Sequence, residues 1–77
     1  MNLYLLRIFL AVAERRSFSR AAEQLFISQP AVSKGVQALE AELDLALIER
    51  GIGSGKGVRL TESGVALADH ARGIFAL

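Results

Sequence analysis

The fold of this chain is decided by residues 17–43, which read SFSRAAEQLFISQPAVSKGVQALEAEL. Ser17 and Ser28 each stand directly before a helical pattern, where a serine hydroxyl can accept a hydrogen bond from a backbone N–H of the first turn. Two adjacent alanines, at 21 and 22, allow the two helices to cross closely. The stretch therefore predicts a helix-turn-helix over about residues 18–37.

The second helix of this motif has two different faces. Its inward stripe is apolar and recurs at helical spacing, with Val32, Val36, Leu39 and Leu43. Its outer face is polar and consists of Gln29, Pro30, Ser33, Lys34 and Gln37. Serine, glutamine and lysine side chains reach base edges or phosphates, and no acidic residue on this face repels a DNA backbone. The pattern favours duplex DNA binding, while an ordinary helical hairpin with a solvated face is the alternative.

The flanking segments predict the remaining elements of a mostly α fold. Residues 3–15 show two apolar stripes at helical spacing, which predicts a helix that contacts its own core and another helix. Residues 45–49 and 58–60 are short strand candidates on either side of a glycine-rich tip, and they predict a two-stranded β wing. Thr61 is placed to cap a last helix. Asp44 is expected to end the third helix in the left-handed conformation, which aspartate adopts more readily than most residues.

Length and composition exclude several classes of protein. The 77 residues suffice for one small domain, and 52% apolar residues is rich for that size, so we expect another chain or a further part of the protein to cover some of the apolar surface. Without cysteine and with His70 as the single histidine, the chain predicts no disulfide, no transition-metal site and no enzyme. It contains neither a membrane-length apolar run nor a secretory signal, which favours a cytoplasmic location.

The net charge and the glycine-rich tip bear on whether the chain binds DNA or a nucleotide. The net charge is only +1, so a basic face depends on segregation of the charges rather than on their sum. A phosphate-binding loop with the pattern G-x-x-x-x-G-K-[ST] would need glycine at 50 and serine or threonine at 57, where the chain has Arg50 and Gly57. The tip is therefore not predicted to bind a nucleotide.

Several short stretches together carry a family resemblance that covers essentially the whole chain. They are LRIFLAVAE at 6–14, SFSRAA at 17–22, SQPAVSK at 28–34, LE at 39–40, Leu43, ER at 49–50 and VRLTESG at 58–64. With these stretches the chain resembles the N-terminal DNA-binding domain of the LysR-type transcriptional regulators of bacteria. The resemblance implies a winged helix-turn-helix domain over 1–61, with a three-helix core and a two-stranded wing, followed by the start of a linker helix over 62–77.

The resemblance also implies roles for individual positions. Gln29, Pro30, Ser33 and Lys34 match positions that enter the major groove, and Gln37 lies on the same face. Ser28, together with Ser17 and Ser19, matches positions near phosphates. The wing tip, Ser54 to Lys56, matches the part that approaches the adjacent minor groove. The linker helix is the dimerisation element of the family, and its implied interface consists of Val65, Ala68, Ala71, Ile74 and Phe75.

The resemblance further implies the partners of the whole protein. It predicts a homodimer on double-stranded DNA with an inverted-repeat operator, with a tetramer as the alternative assembly at full length, and no membrane. No cofactor is expected in this chain, because the effector-binding domain for a small molecule follows the linker helix in this family. Lys34 stands where the family more often has arginine; lysine binds phosphate but lacks the planar bidentate contact with guanine. The alternative from another class is a helical dimerisation module that never meets DNA.

Overall fold

A computed structural model describes residues 2–49 and 57–76 of the chain. These residues form four helices: α1 (Leu3–Arg15), α2 (Phe18–Leu25), α3 (Gln29–Leu43) and α4 (Glu62–Phe75). The helix-turn-helix predicted over about 18–37 corresponds to α2 and the first part of α3. None of the four helices is long and apolar enough to span a membrane.

Each helix begins at a polar N-cap side chain. Ser17, Ser28 and Thr61 accept hydrogen bonds from the backbone N–H three residues later, at 3.1, 3.1 and 2.9 Å. Asn2 caps α1 in the same way, with its Oδ1 2.8 Å from the N–H of Tyr4. These caps satisfy backbone donors that have no partner inside the helix. The three caps predicted from sequence are confirmed, whereas the cap at Asn2 was not predicted.

The first three helices end at residues with left-handed backbone conformations. Arg16, Phe26 and Asp44 have φ values of 54°, 59° and 57°. At Asp44 the turn is closed by the N–H of Leu45, which donates to the carbonyl of Glu40 at 3.1 Å. The prediction for Asp44 is confirmed: aspartate takes up here the conformation for which glycine is the usual residue.

Helix α1 is the centre of the fold, since it packs against each of the other three helices. Both of its apolar stripes are buried within the chain, as Leu6, Ile8, Phe9 and Val12 are at most 1% exposed. The partner helix expected for the second stripe therefore belongs to the same chain. The close approach of α1 to α3 occurs at Gly35, where an added Cβ would lie 2.8 Å from Cδ1 of Ile8.

The two-stranded wing is not seen in the described residues. Ile48 and Leu60 form a single antiparallel bridge, flanked by hydrogen bonds from Glu49 N–H to Arg59 O at 2.9 Å and from Thr61 N–H to Leu47 O at 3.0 Å. The two chain segments that flank the predicted tip are thus paired at one bridge and, within the described residues, do not form extended strands. The predicted wing tip, Ser54 to Lys56, lies outside the described residues.

Helix α4 uses most of its apolar arc to cover its own domain. Ala68 and Ala71 are 1% and 0% exposed and belong to the core, so their assignment to a dimer interface was wrong. Phe75 is half-buried, with the Arg7 guanidinium 4.6 Å from its ring centroid. The arc was misassigned because helical spacing shows which face is apolar but not which partner covers it.

Polar contacts complete the docking of α4 on α1. Arg72 donates from Nε to Oε2 of Glu14 at 2.7 Å and from Nη1 to Oδ1 of Asp69 at 2.6 Å. Its hydrogen bond with Glu14, followed by that with Asp69, raises the pKa of Arg72 above its ordinary value. All three side chains are exposed, so solvent screens these ion pairs and their contribution to stability is small.

Candidate nucleic-acid interface

The outer face of α3 carries polar side chains that the domain itself does not use. Four of the five side chains predicted for this face are exposed, and Ser33 is half-buried; the exposed members are Gln29, Pro30, Lys34 and Gln37. Within residues 2–49 and 57–76, none of the five forms a hydrogen bond or ion pair through its side chain. The structure brings all five together on one surface of a helix whose other face is packed. Their donors and acceptors are available to another molecule.

The backbone at the start of α3 is prepared by two local features. Ser28 caps the helix and Pro30 lies in its first turn, where the missing N–H costs no intrahelical bond. The Ser28 hydroxyl accepts from the N–H of Ala31, and a hydroxyl retains its own hydrogen for a further acceptor such as a phosphate oxygen. This end of α3 therefore presents a hydroxyl, a flat apolar ring and the Gln29 amide next to one another.

The start of α2 provides a second polar surface. Ser17 accepts from the N–H of Arg20, and its Oγ lies 3.2 Å from Oγ of Ser19. The N-terminal end of a helix attracts anions, because its free N–H groups point outward and the helix dipole is positive there. Both predicted serines lie at this end of the helix, and since one of the two hydroxyls donates to the other, one hydroxyl hydrogen is left for a further acceptor.

Two arginines beside these serines were missed as site residues. Arg15 donates from Nε to Oε1 of Gln24 at 2.8 Å, which holds its guanidinium against α2. Arg20 is exposed and has no ion-pair partner in the described part of the chain. Together with Ser19, they line an open polar depression on the surface of α1 and α2. The spacing of three residues from Ser17 to Arg20 was the available signal, since it places both on one helix face.

The turn between α2 and α3 exposes an aromatic ring. Phe26 is 93% exposed, and its φ of 59° is unfavourable for any residue with a Cβ. By sequence, Phe26 and Ile27 form a short apolar connection between the two helices. In the structure Ile27 turns toward the core while Phe26 points away from it.

Helix α4 leaves two apolar side chains exposed, Val65 at 47% and Ile74 at 43%. They are nine positions apart, about two and a half helical turns, so they lie on opposite sides of the helix. The two do not form one stripe. Between them the outward face carries small or polar residues, among them Ala66, Asp69 and Gly73.

No group of histidine, cysteine and carboxylate side chains suited to a metal ion occurs among the described residues. The surfaces above are instead built from amides, hydroxyls and guanidinium groups. Such groups bind phosphates and base edges.

Comparison with known sequences identifies this arrangement. Residues 3–65 match the profile of the family described as bacterial regulatory helix-turn-helix protein, lysR family. A helix-turn-helix transcriptional regulator of Azotobacter vinelandii is 48% identical over 77 residues, covering 100% of this chain and 51% of that protein. The RuBisCO operon transcriptional regulator of Allochromatium vinosum is 49% identical over 74 residues, covering 96% of this chain and 24% of that protein. The chain thus spans about half of the first relative and a quarter of the second.

Solved structures show the same fold bound to DNA. The DNA-binding domain of BenM in complex with benA site 1 DNA superposes with a TM-score of 0.89 at 39% identity, over 99% of this chain and 82% of that one. The DNA complex of the CbnR DNA-binding domain gives a TM-score of 0.85 at 42% identity, over 96% of this chain and 82% of that one.

Proposed function

The chain belongs to the lysR family of bacterial regulatory helix-turn-helix proteins, and we propose that it binds double-stranded DNA in a sequence-specific manner as the DNA-reading part of a transcriptional regulator. The observation that carries the proposal is the outer face of α3. Gln29, Lys34 and Gln37 are exposed and have no side-chain partner among the described residues, although Val32, Val36 and Leu39 on the opposite face are fully buried. A helix in this state can enter a major groove without any loss of internal contacts.

Base preference comes from the first turns of α3. An amide such as that of Gln29 can donate to and accept from adenine at once, and Ser33 serves either a donor or an acceptor. Lys34 supplies one positive charge without the planar fork of arginine, so it suits a phosphate or a single guanine acceptor. Pro30 packs its ring on a base. Discrimination is expected to depend mostly on Gln29.

Affinity comes largely from phosphates. Ser17, Ser19 and Ser28 offer hydroxyl groups at two helix N-termini, and Arg20, which has no ion-pair partner in the described part of the chain, adds a cation beside them. Each neutralised phosphate releases counterions, which makes binding steeply dependent on salt. Contact of Ser54 and Lys56 with the minor groove stays a prediction.

Dimerisation is proposed to use the exposed side of α4, with Val65 and Ile74 at its edges. A symmetric dimer would then read an inverted repeat whose half-sites lie in successive major grooves. Tetramer formation and a small-molecule effector belong to the further domain expected in the whole regulator, which would act in the bacterial cytoplasm.

The test is selection of the purified chain against random duplex DNA, with the double variant Gln29→Ala/Lys34→Ala as a matched control. The variant should stay folded, because neither side chain has an internal partner among the described residues. Wild type is expected to enrich an inverted repeat and the variant only to retain DNA at low salt. No retention of duplex by the wild type at low salt would reject the proposal and favour the dimerisation module without DNA binding.

A further inference from the structure

Helices α3 and α4 do not pack against each other. Their relative orientation matters if α3 reads DNA and α4 joins two copies, because it then sets how far apart the two reading helices lie. One connection between them runs through α1, which contacts both. A second connection runs through the short segment 46–48.

The α3 end of this second connection is Glu40. Its Oε2 accepts hydrogen bonds from the backbone N–H of Leu47 at 2.8 Å and of Ile48 at 3.2 Å. A carboxylate that accepts two backbone N–H groups forms charge-assisted bonds, which are stronger than neutral ones. Segment 46–48 is therefore fastened to the side of α3.

The α4 end of the connection is Thr61. Its Oγ1 donates to the carbonyl of Ala46 at 2.6 Å and accepts from the N–H of Gly64 at 2.9 Å. Its own N–H donates to the carbonyl of Leu47 at 3.0 Å. One threonine thus both caps α4 and fastens that helix to segment 46–48. Gly64 lets the backbones meet, since an added Cβ would lie 2.2 Å from the Leu47 carbonyl oxygen.

We propose that Glu40 and Thr61 are positioning residues, which hold α4 at a set angle to the recognition helix α3 and thereby set the half-site spacing that the dimer reads. Neither side chain touches DNA in this role. The effect on spacing rests on the proposed function, whereas the effect on helix orientation does not.

The first measurement uses residual dipolar couplings of the backbone N–H groups in the protein without DNA. When the couplings are fitted to the structure described above, one alignment tensor is expected to account for both α3 and α4 of the wild type. In Thr61→Val and in Glu40→Ala, α4 is expected to change its orientation relative to α3, so the two helices should require separate tensors in the same fit. If Glu40→Ala does not fold, Thr61→Val still decides the question.

Matched controls separate positioning from loss of stability. Asn2→Ala removes the N-cap of α1 but no contact of segment 46–48, and Glu42→Ala removes an exposed carboxylate from the same helix as Glu40. Both controls should keep a single tensor. Thr61→Ser retains the hydroxyl, so this variant should show a single tensor as the wild type does.

The second measurement compares affinity for the selected inverted repeat with affinity for the same half-sites moved by one base pair. In Thr61→Val the ratio of the two affinities should fall by up to about tenfold, because the loss of one hydrogen bond changes an equilibrium constant by about that factor. In Asn2→Ala the ratio should stay as in the wild type. A single tensor in Thr61→Val would overturn the proposal whatever Glu40→Ala shows, as would an unchanged ratio. If the wild type itself shows no spacing preference, dimeric reading fails as the proposed function, and the couplings alone then decide whether the two residues orient α4.

Discussion

The outer face of α3 and the junction of α4 with segment 46–48 contrast in how their atoms are used. On α3, Gln29 and Lys34 have no internal partner in the described residues, so they contribute little to folding. At the junction, Thr61 forms three hydrogen bonds through its hydroxyl and its N–H, and Gly64 leaves no room for a methyl group. The contrast teaches that binding capacity and stability lie in separate parts of this domain. Substitutions on the outer face of α3 should therefore leave stability unchanged, whereas substitutions at the junction should lower stability and alter only the half-site spacing, not the contacts with bases.

The largest effect is expected for Gly64→Ala. The new Cβ would lie 2.2 Å from the backbone oxygen of Leu47, which cannot move without loss of the hydrogen bond from Thr61. We expect the free energy of unfolding to fall by about 3 kcal/mol or more, which lowers Tm by roughly 15 °C in a domain of this size. Thermal unfolding followed by circular dichroism measures it.

Gly73→Ala is the matched control for this prediction, because beyond the adjacent backbone of α4 no atom of the described residues lies within 4 Å of its added Cβ. It should raise the free energy of unfolding by up to about 1 kcal/mol, as alanine is the better helix former. Equal changes in Tm for the two alanine variants would contradict the close contact at Gly64.

Gln29→Ala should change DNA affinity and leave the free energy of unfolding unchanged, the reverse of Gly64→Ala. We expect a loss of about 1–3 kcal/mol in binding to the selected operator, relaxed preference at one base position, and a Tm unchanged within error. Titration of the operator and of single-base variants by fluorescence anisotropy measures this. A loss that is uniform over all sequences would mean that Gln29 touches only phosphate.

Gly35→Ala tests the inner face of α3, which belongs neither to the outer face of α3 nor to the junction of α4 with segment 46–48. The added Cβ would meet Cδ1 of Ile8 at 2.8 Å, and this atom is the movable end of a side chain. A cost of about 1–2 kcal/mol in the free energy of unfolding is expected from overpacking. Urea unfolding of the single variant gives the value.

Ile8→Val removes the clashing Cδ1 and allows a double-mutant cycle. The pair Gly35→Ala/Ile8→Val should lose less stability than the sum of the single variants, by about 0.5 kcal/mol or more. Strict additivity would show that α1 and α3 do not meet at this point.

The smallest effect is expected at Phe26. Replacement by glycine removes the cost of a left-handed backbone at φ 59° and gives up little packing, since the side chain is 93% exposed. Phe26→Gly should therefore stabilise the domain by about 1 kcal/mol, while Phe26→Ala should not. If both variants are destabilised, the ring makes contacts that support the turn.

Local signals account for what could be predicted. Ser17, Ser28 and Thr61 were identified as helix caps, and Asp44 as a helix end, because each of these features depends on a few neighbouring residues. The two faces of α3 followed from helical spacing, and the inward stripe is buried as predicted except at Leu43, which is half-buried. The DNA contacts assigned to the outer face remain predictions.

The errors arose where a residue's partner lies far away in sequence. Ala68 and Ala71 were assigned to a second chain, but α1 lies across them and completes the core. The wing was expected as two strands, whereas the described residues pair at one bridge, because pairing depends on which backbone groups meet after folding.

Local sequence signals establish the N-caps of α2, α3 and α4, the end of α3 at Asp44 and the polar outer face of α3, since caps, turns and helical periodicity act over a few residues. Three features emerge only from the packed fold: α4 turns its alanines inward, Gly64 has no room for a side chain, and Glu40 and Thr61 fasten one short segment from both sides. Those features depend on contacts between backbone atoms far apart in the chain, and such contacts exist only once α1 has brought the helices together.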